Sequence, residues 1–480
     1  MEQYFHQWLA NLPSFLGGYI YDDDKHLISP RNTYETLKSF VLGFSEGALD
    51  EKIILLPGIR GVGKTTLLAQ LYFFEKYISE HAGLKALKEI KNKIYISADH
   101  LSYNGFSLKD FIGTYEKYIG MPFENLTEKT IILIDEIHYD SNWGLALKLL
   151  YDKTKSNKNI LLFATGSSAL SLKASPDLAR RSRLVKVYPL NFREYTSMKY
   201  HTQLPENDVQ TLRSAVFDSR KSTDAFDILK SIEKNVNHYW EAIPAEDIEI
   251  DRYFSIGSFP FNLKSGNRAL AWEKIISVVD KVVEYDFTGI RRFDSETISK
   301  IPNILYVVSA SGQLNLGKFS SSLGININTL RRVLDTMVKA EILIKIPSFG
   351  KMYTQTRKQL KYLFTAPSIR ESMLRGMVPE NMHGKKLEDY SALILHESMD
   401  EHPGMKVFYD SAEGGADFIV GFPDERHIII EIGFGKENTG QITFTAKKVK
   451  PDCAFLAGSR RLELVEGCII KIPLHFWLLI

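Results

Sequence analysis

The 480-residue chain is 44% hydrophobic and 25% charged, a globular profile whose length predicts about three domains. Lys and Arg total 60 against 58 Asp and Glu, so whole-chain charge selects no partner, and two cysteines without a Cys-x-x-Cys exclude a disulfide framework and a zinc motif. Met1–Tyr21 has no basic stretch followed by an apolar core and no apolar run nears about 18 residues, which predicts a cytoplasmic protein with no signal peptide and no membrane span.

Residues 1–50 read as a short helical lead-in with a turn-rich patch, Tyr21–Asn32. Residues 51–200 alternate apolar strands with helical patterns, which predicts a parallel sheet with helices on its faces. The strand candidates are Ile53–Leu56, Ile94–Ser97, Ile131–Ile134, Ile160–Ala164 and Val185–Tyr188. Between the first strand and the next helix lies Gly58-Ile59-Arg60-Gly61-Val62-Gly63-Lys64-Thr65, of the form G-x-x-x-x-G-K-[ST]. Gly58, Gly61 and Gly63 let backbone N–H groups, that of Val62 included, turn inward on a phosphate. The helix beginning at Thr66 adds the positive end of its dipole. Lys64 would reach the β- and γ-phosphates, and Thr65 would hold Mg²⁺.

About 70 residues on, the strand Thr130–Ile134 ends in Asp135-Glu136. Asp135 would position Mg²⁺ from the strand edge, and Glu136 would polarise the attacking water as a general base. The following strand ends in Thr165-Gly166-Ser167-Ser168, and either Thr165 or Ser167 would contact the γ-phosphate or the lytic water. Arg180 and Arg181 precede the fifth strand. An arginine there would reach a neighbouring subunit's nucleotide, or else form a solvated basic turn.

Asp135-Glu136-Ile137-His138-Tyr139, Asn142-Trp143, Ala164–Ser168 and Tyr188-Pro189-Leu190-Asn191-Phe192-Arg193-Glu194-Tyr195 occur in that order. Gly257-Ser258-Phe259-Pro260 and Gln359–Phe364 follow. Together these resemble the prokaryotic AAA-type ATPases that carry a winged helix and a C-terminal domain like restriction endonucleases. The resemblance covers roughly residues 30–480. It implies ATP as the nucleotide and a homo-oligomer, and it places Pro260 of a lid motif near the adenine. Ser258 stands where that motif usually has a second glycine.

Residues 201–285 read as mainly helical. Lys318–Leu323, the turn Gly324-Ile325-Asn326 and Asn328–Ala340 form a helix-turn-helix pattern. Leu330, Val333, Leu334 and Met337 face a core, Asn326 caps the second helix, and Arg331 and Arg332 point outward. Ile342–Ile346 and Lys351–Gln355 would form a wing hairpin. From Ile290 to Lys361 there are 12 Lys/Arg against 4 Asp/Glu, the electrostatic footprint of phosphate binding in a nearly neutral chain, which favours DNA contact over a protein-binding or lid module or a solvated basic face.

In the last segment Glu388 lies on a helix candidate, Asp417 precedes an apolar strand, and Glu431 ends another. A spaced carboxylate followed by Glu-x-Lys is a nuclease constellation, in which acids hold Mg²⁺ and the lysine activates water or stabilises charge. Here the lysine position is Gly433, and Lys436 lies past two glycines, off the strand. The reading is a degenerate domain rather than an active nuclease. The apolar tail Leu474–Ile480 fits a final core strand.

The expected fold is thus α/β: a parallel-sheet P-loop ATPase domain of AAA type (1–200), a helical lid (201–285), a winged helix (286–360) and a C-terminal α/β restriction-endonuclease-like domain (361–480). The expected function is ATP hydrolysis with DNA bound through the basic winged helix. The alternative is an ATP-dependent switch or oligomeric scaffold with slow turnover that recruits protein partners.

Overall fold

The computed structural model describes residues 1–78, 88–166, 180–287, 293–311, 314–350, 359–377 and 383–480. The chain divides into two compact units, Met1–Val187 and Tyr188–Ile480. Ser167 and the expected wing strand Lys351–Gln355 lie outside the described residues.

In the first unit, Ile- and Leu-rich runs buried on both faces form three central strands, flanked by a half-apolar strand and a short exposed one. These are β1 (Ile53–Pro57), β2 (Ile90–Ser97), β3 (Lys129–Asp135), β4 (Ile160–Gly166) and β5 (Arg183–Leu184). All pair in parallel, in the order β2-β3-β4-β1-β5. The fifth strand starts two residues before its expected position. Its ladder nevertheless runs on, because the Val185 and Val187 N–H groups donate to Leu55 O at 2.9 Å and Pro57 O at 2.8 Å. This order is the P-loop AAA-type α/β fold. It inserts β4 between β1 and β3, so the carboxyl ends of three strands stand side by side, where open α/β sheets bind ligands.

The second unit carries its own α/β sheet. A two-stranded ribbon pairs β6 (Leu343–Ile346) with β7 (Lys361–Phe364) in antiparallel register. Beyond it run β8 (Lys406–Phe408), β9 (Phe418–Gly421), β10 (His427–Ile432), β11 (Cys453–Ser459), β12 (Glu463–Val465) and β13 (Ile469–Pro473), ordered β12-β13-β11-β10-β9-β8. The tail does not form the expected final strand. Both neighbours of β11 are already in place, and after Pro473 the chain turns into a short helix, Leu474–Trp477. Its residues are still core: Phe476 to Ile480 are buried, and Trp477 Nε1 donates to Ser391 Oγ at 2.8 Å.

The helices Glu206–Phe217, Ser222–Ser231 and Glu233–Glu241 share one core with this sheet, Leu212, Val216 and Leu229 joining Ile428, Phe455 and Ile470. Arg213 Nη1 donates to Ile480 O at 3.1 Å and Trp240 Nε1 to His475 O at 2.9 Å. A second link is fully buried. Arg370 forks onto Asp389, with Nη2 to Oδ1 at 2.8 Å, while its Nη1 donates to Ser309 O at 2.7 Å. The helix Ile301–Ala310 is thereby tied to the long helix His383–Glu401. The buried fork fixes the helix Pro367–Met373, which carries Arg370, against the long helix, because both hydrogen bonds fail together if either turns.

The Tyr188–Tyr195 string sits at the heart of this unit. Asn191 caps the helix Phe192–Tyr200 in a capping box with Glu194. Leu190 N–H donates to Ser258 O at 2.9 Å, Tyr253 OH donates to Leu190 O at 2.8 Å, and a Cβ on Gly257 would lie 2.9 Å from the Tyr195 ring. Two separate sequence motifs are therefore one packing unit. On the long helix, Tyr188 OH reaches Asp400 Oδ2 at 2.6 Å and Asn191 Nδ2 reaches Glu397 Oε2 at 3.4 Å. Burial, then Glu194, pushes the Glu397 carboxyl up to about 8. An unfolded glutamate titrates near ~4.3, so this group's stabilising contribution is complete below that value and is lost as pH rises through about 8. Glu397→Gln should therefore gain stability relative to wild type between pH 5 and pH 8, about 3–4 kcal/mol in chemical unfolding. An identical difference at both pH values would refute the assignment.

Candidate active site

The glycine-lysine loop leaves β1 and enters the helix Lys64–Tyr72. Gly61 and Gly63 have φ of 80° and 93°, a left-handed backbone that favours glycine. Gly58 is required for a different reason: a Cβ there would lie 2.3 Å from Val187 O, the chain that extends β5. Arg31, ahead of the first strand, donates from Nη1 to Val62 O at 2.6 Å and braces the loop. Lys64 is buried and donates to Gly58 O at 2.9 Å and Ile59 O at 3.1 Å, so its ammonium lies inside the curve of the loop. Thr66 follows in the first helical turn.

Asp135 is the hub. Its Oδ2 accepts from Thr65 Oγ1 at 2.7 Å and from Tyr95 OH at 3.0 Å, and its Oδ1 accepts from Thr165 Oγ1. Burial and the adjacent Glu136 push its carboxyl up, against the pull of those three hydroxyls. The Thr165 hydroxyl also accepts from Glu136 N–H at 2.9 Å. Thr165 thus joins both acids, while Ser167 lies outside the described residues. Glu136 has φ 48° and ψ 45°, a left-handed conformation costing a non-glycine residue about 1–2 kcal/mol. The Thr165 bond helps hold it there.

His138 is a site residue that the sequence did not single out. Its Nδ1 lies 3.3 Å from Glu136 Oε2, and its Nε2 lies 3.4 Å from Arg60 Nη2 in the loop. Burial, then Arg60 and Lys64, holds the imidazole down at about 3, so it is neutral at ordinary pH. The geometry suits an Nδ1–H facing Glu136 and an Nε2 facing the guanidinium. Tyr95 was missed as well, because a tyrosine inside an apolar strand reads as core.

Thr65 and Asp135 are the residues that would hold Mg²⁺: a hydroxyl and a carboxylate, already in contact beside the loop, are hard oxygen donors of the right kind. The loop's N–H groups and Lys64 would hold the phosphates. Arg180 is exposed, whereas Arg181 leans on its own unit, with Nη2 3.5 Å from Asp152 Oδ1 and the guanidinium over Tyr151. Pro260 begins a short turn, Pro260–Asn262, in the second unit and is half-buried.

Residues 50–196 match the AAA domain family, and residues 248–380 match a domain of unknown function, DUF8612. The uncharacterized protein MJ1637 of Methanocaldococcus jannaschii is 33% identical over 457 residues, 94% of this chain and 89% of that one. The chain belongs to the family of that archaeal protein. Its first unit is an AAA-type ATPase domain. An uncharacterized protein of Haemophilus influenzae is 26% identical over 147 residues, 31% of this chain and 34% of its own. Among solved structures, the Walker-type ATPase PABY2304 of Pyrococcus abyssi is similar, with 14% identity, a TM-score of 0.40, and 74% of this chain and 97% of that one covered.

In the second unit the helix-turn-helix pattern forms as Leu316–Leu323 and Ile327–Lys339. Asn326 Oδ1 caps the second helix, Leu330, Val333, Leu334 and Met337 are fully buried, and Arg331 and Arg332 are exposed. Lys361, counted among the basic residues of this stretch, is buried and adds nothing to its surface.

The three spaced carboxylates also meet. Asp417 N–H donates to Glu431 Oε2 at 3.1 Å, and Ile432 N–H donates to Asp417 Oδ2 at 3.2 Å. Lys361 Nζ lies 2.7 Å from Glu388 Oε2 and 3.1 Å from Asp417 Oδ1, and Lys385 pairs with Glu388 Oε1. Lys436 starts off the strand, as its sequence position implies, but its ammonium returns to Glu431 Oε1 and Gln441 Oε1. A Cβ on Gly433 would lie 2.9 Å from Lys436 Cβ and Cδ, so that side chain fills the space of the missing lysine. A cavity of about 460 Å³ opens beside the cluster, lined by Lys361, Lys385, Asp410, Asp417 and Gln441 among others. No helix among the described residues is long and apolar enough to cross a membrane.

Gly58→Ala should push the loop off the Val187 carbonyl. The expected cost is about 1–3 kcal/mol of stability in thermal unfolding, with weakened nucleotide binding. Wild-type values for both would show that the close approach is not needed.

Proposed function

We propose that the chain binds and hydrolyses ATP in its first unit and binds DNA through the basic helix-turn-helix of its second. The observation that carries the first half is the hydroxyl of Thr165, which hydrogen-bonds both Asp135 and the backbone of Glu136. The acid that would position the metal and the acid that would act as base are thus set by one side chain. Bound Mg²⁺ supplies charge neutralisation along the phosphates. Lys64 exchanges the carbonyls of Gly58 and Ile59 for phosphate oxygens. Glu136 takes the proton of the attacking water, and neutral His138 orients its carboxylate without competing for that proton. Arg180, exposed on the first unit, is the arginine available to a neighbouring copy in a homo-oligomer.

The second reading is a switch with slow turnover that recruits protein partners. It is favoured by the strained backbone of Glu136, which stores energy at the base itself. Steady-state hydrolysis separates the two. Lys64→Ala should abolish ATP binding, whereas Glu136→Gln should keep binding and lose about 10²–10⁴-fold in turnover. A wild-type rate no higher than that of Lys64→Ala would leave only the switch.

For DNA, support comes from exposed Arg331 and Arg332 on a helix whose opposite face is fully buried. Replacing both with Ala should weaken duplex binding and lower the salt-dependence slope by about one per residue. Unchanged affinity and slope would remove this helix from the interface.

A further inference from the structure

The carboxylate centre of the second unit contains Glu388, Asp417 and Glu431, and a metal-dependent nuclease would use such a set to hold Mg²⁺. The residues do not fit that role as they stand. A divalent cation needs oxygens about 2.0–2.6 Å from one point, and the point between Glu388 and Asp417 is taken by the ammonium of Lys361, at 2.7 and 3.1 Å. We propose that Lys361 is the built-in cation of this centre, occupying the place a divalent metal would need and keeping the centre closed to metal while its charge is present.

Charge balance points the same way. Each carboxylate has an ammonium partner: Lys361 and Lys385 at Glu388, Lys361 at Asp417, and Lys436 at Glu431. The three carboxylates face three ammonium groups, so an added divalent ion would meet a cation already in place at each acid, which is unfavourable. Lys361 is also not a mobile surface lysine. Its side chain is 4% exposed, its backbone is held by pairing with Ile346 across the β6–β7 ribbon, and its ammonium lies 5.0 Å from the centre of the Phe418 ring. Strand register, rather than side-chain chance, delivers the ammonium. Lys436 shows that the centre is not simply eroded, because its side chain fills the space beside Gly433 and restores a lysine to Glu431.

The test is Mn²⁺ binding to the full chain without nucleotide, read by electron paramagnetic resonance. Binding at this centre is the part that Asp417→Asn removes, which separates it from any ion at Asp135. Wild type should show no Asp417-dependent site at millimolar Mn²⁺. Lys361→Met should gain one, tighter by about tenfold or more because a repelling charge has become a vacancy between two acids. Its unfolding temperature should rise with Mn²⁺ by more than that of wild type, and adding Asp417→Asn should remove the excess. Should Lys361→Met fail to fold, Lys361→Met with Asp417→Asn should fold again, since it removes one cation and one anion together. An Asp417-dependent Mn²⁺ site in wild type overturns the proposal. So does a folded Lys361→Met that gains none, or a double variant that unfolds like the single.

Discussion

The buried carboxylate of Asp135 accepts hydrogen bonds from hydroxyls on three elements: Thr65 on the helix after the loop, Tyr95 on β2 and Thr165 on β4. Such a group is costly to bury unless its oxygens are satisfied, and the satisfied arrangement is also the one that gathers the site. The sheet order makes it possible. With β4 between β1 and β3, Thr165 comes off the strand that separates the loop from the acids, and its single hydroxyl can face both Asp135 and the Glu136 backbone. His138 then closes a line from Glu136 to Arg60 in the loop. The glycine-lysine loop, Asp135 and Glu136 are thereby parts of one hydrogen-bonded assembly.

Charge is managed in another way in the second unit. There the acids are neutralised by lysines from three places in the chain: β7, the long helix and the turn after β10. The same long helix carries Asp389, which is locked to Arg370, and Glu397 and Asp400, which meet the Tyr188–Tyr195 segment. One helix therefore serves the segment that follows the ATPase fold, the helices leading to the helix-turn-helix, and the carboxylate centre. A buried ion pair adds little net stability, but breaking one partner is expensive, so such pairs act mainly to specify geometry.

Much of the first unit was legible because its signals are local. The glycine-lysine loop needs specific residues at fixed spacing, and the strands beside it are apolar runs whose burial on both faces leaves no alternation to misread. The helix-turn-helix was legible for the same reason: its apolar positions recur at helical spacing, and Asn326 marks its start. The fifth strand shifted because edge pairing follows backbone hydrogen bonds rather than hydrophobicity. The tail became a helix because β11 already had both neighbours, which no local window reveals.

Sequence alone determined the chemistry of the loop, the acids at Asp135 and Glu136, and the spacing of Glu388, Asp417 and Glu431, since residue type and short-range order carry these. Tertiary structure alone decided that Thr165 joins the two acids, that His138 stands against Glu136, and that Lys361 and Lys436 enter the second unit's carboxylate cluster. Those contacts join residues brought together by strand order and strand register. A lysine 56 residues from Asp417 becomes its partner only after the ribbon and the sheet have formed.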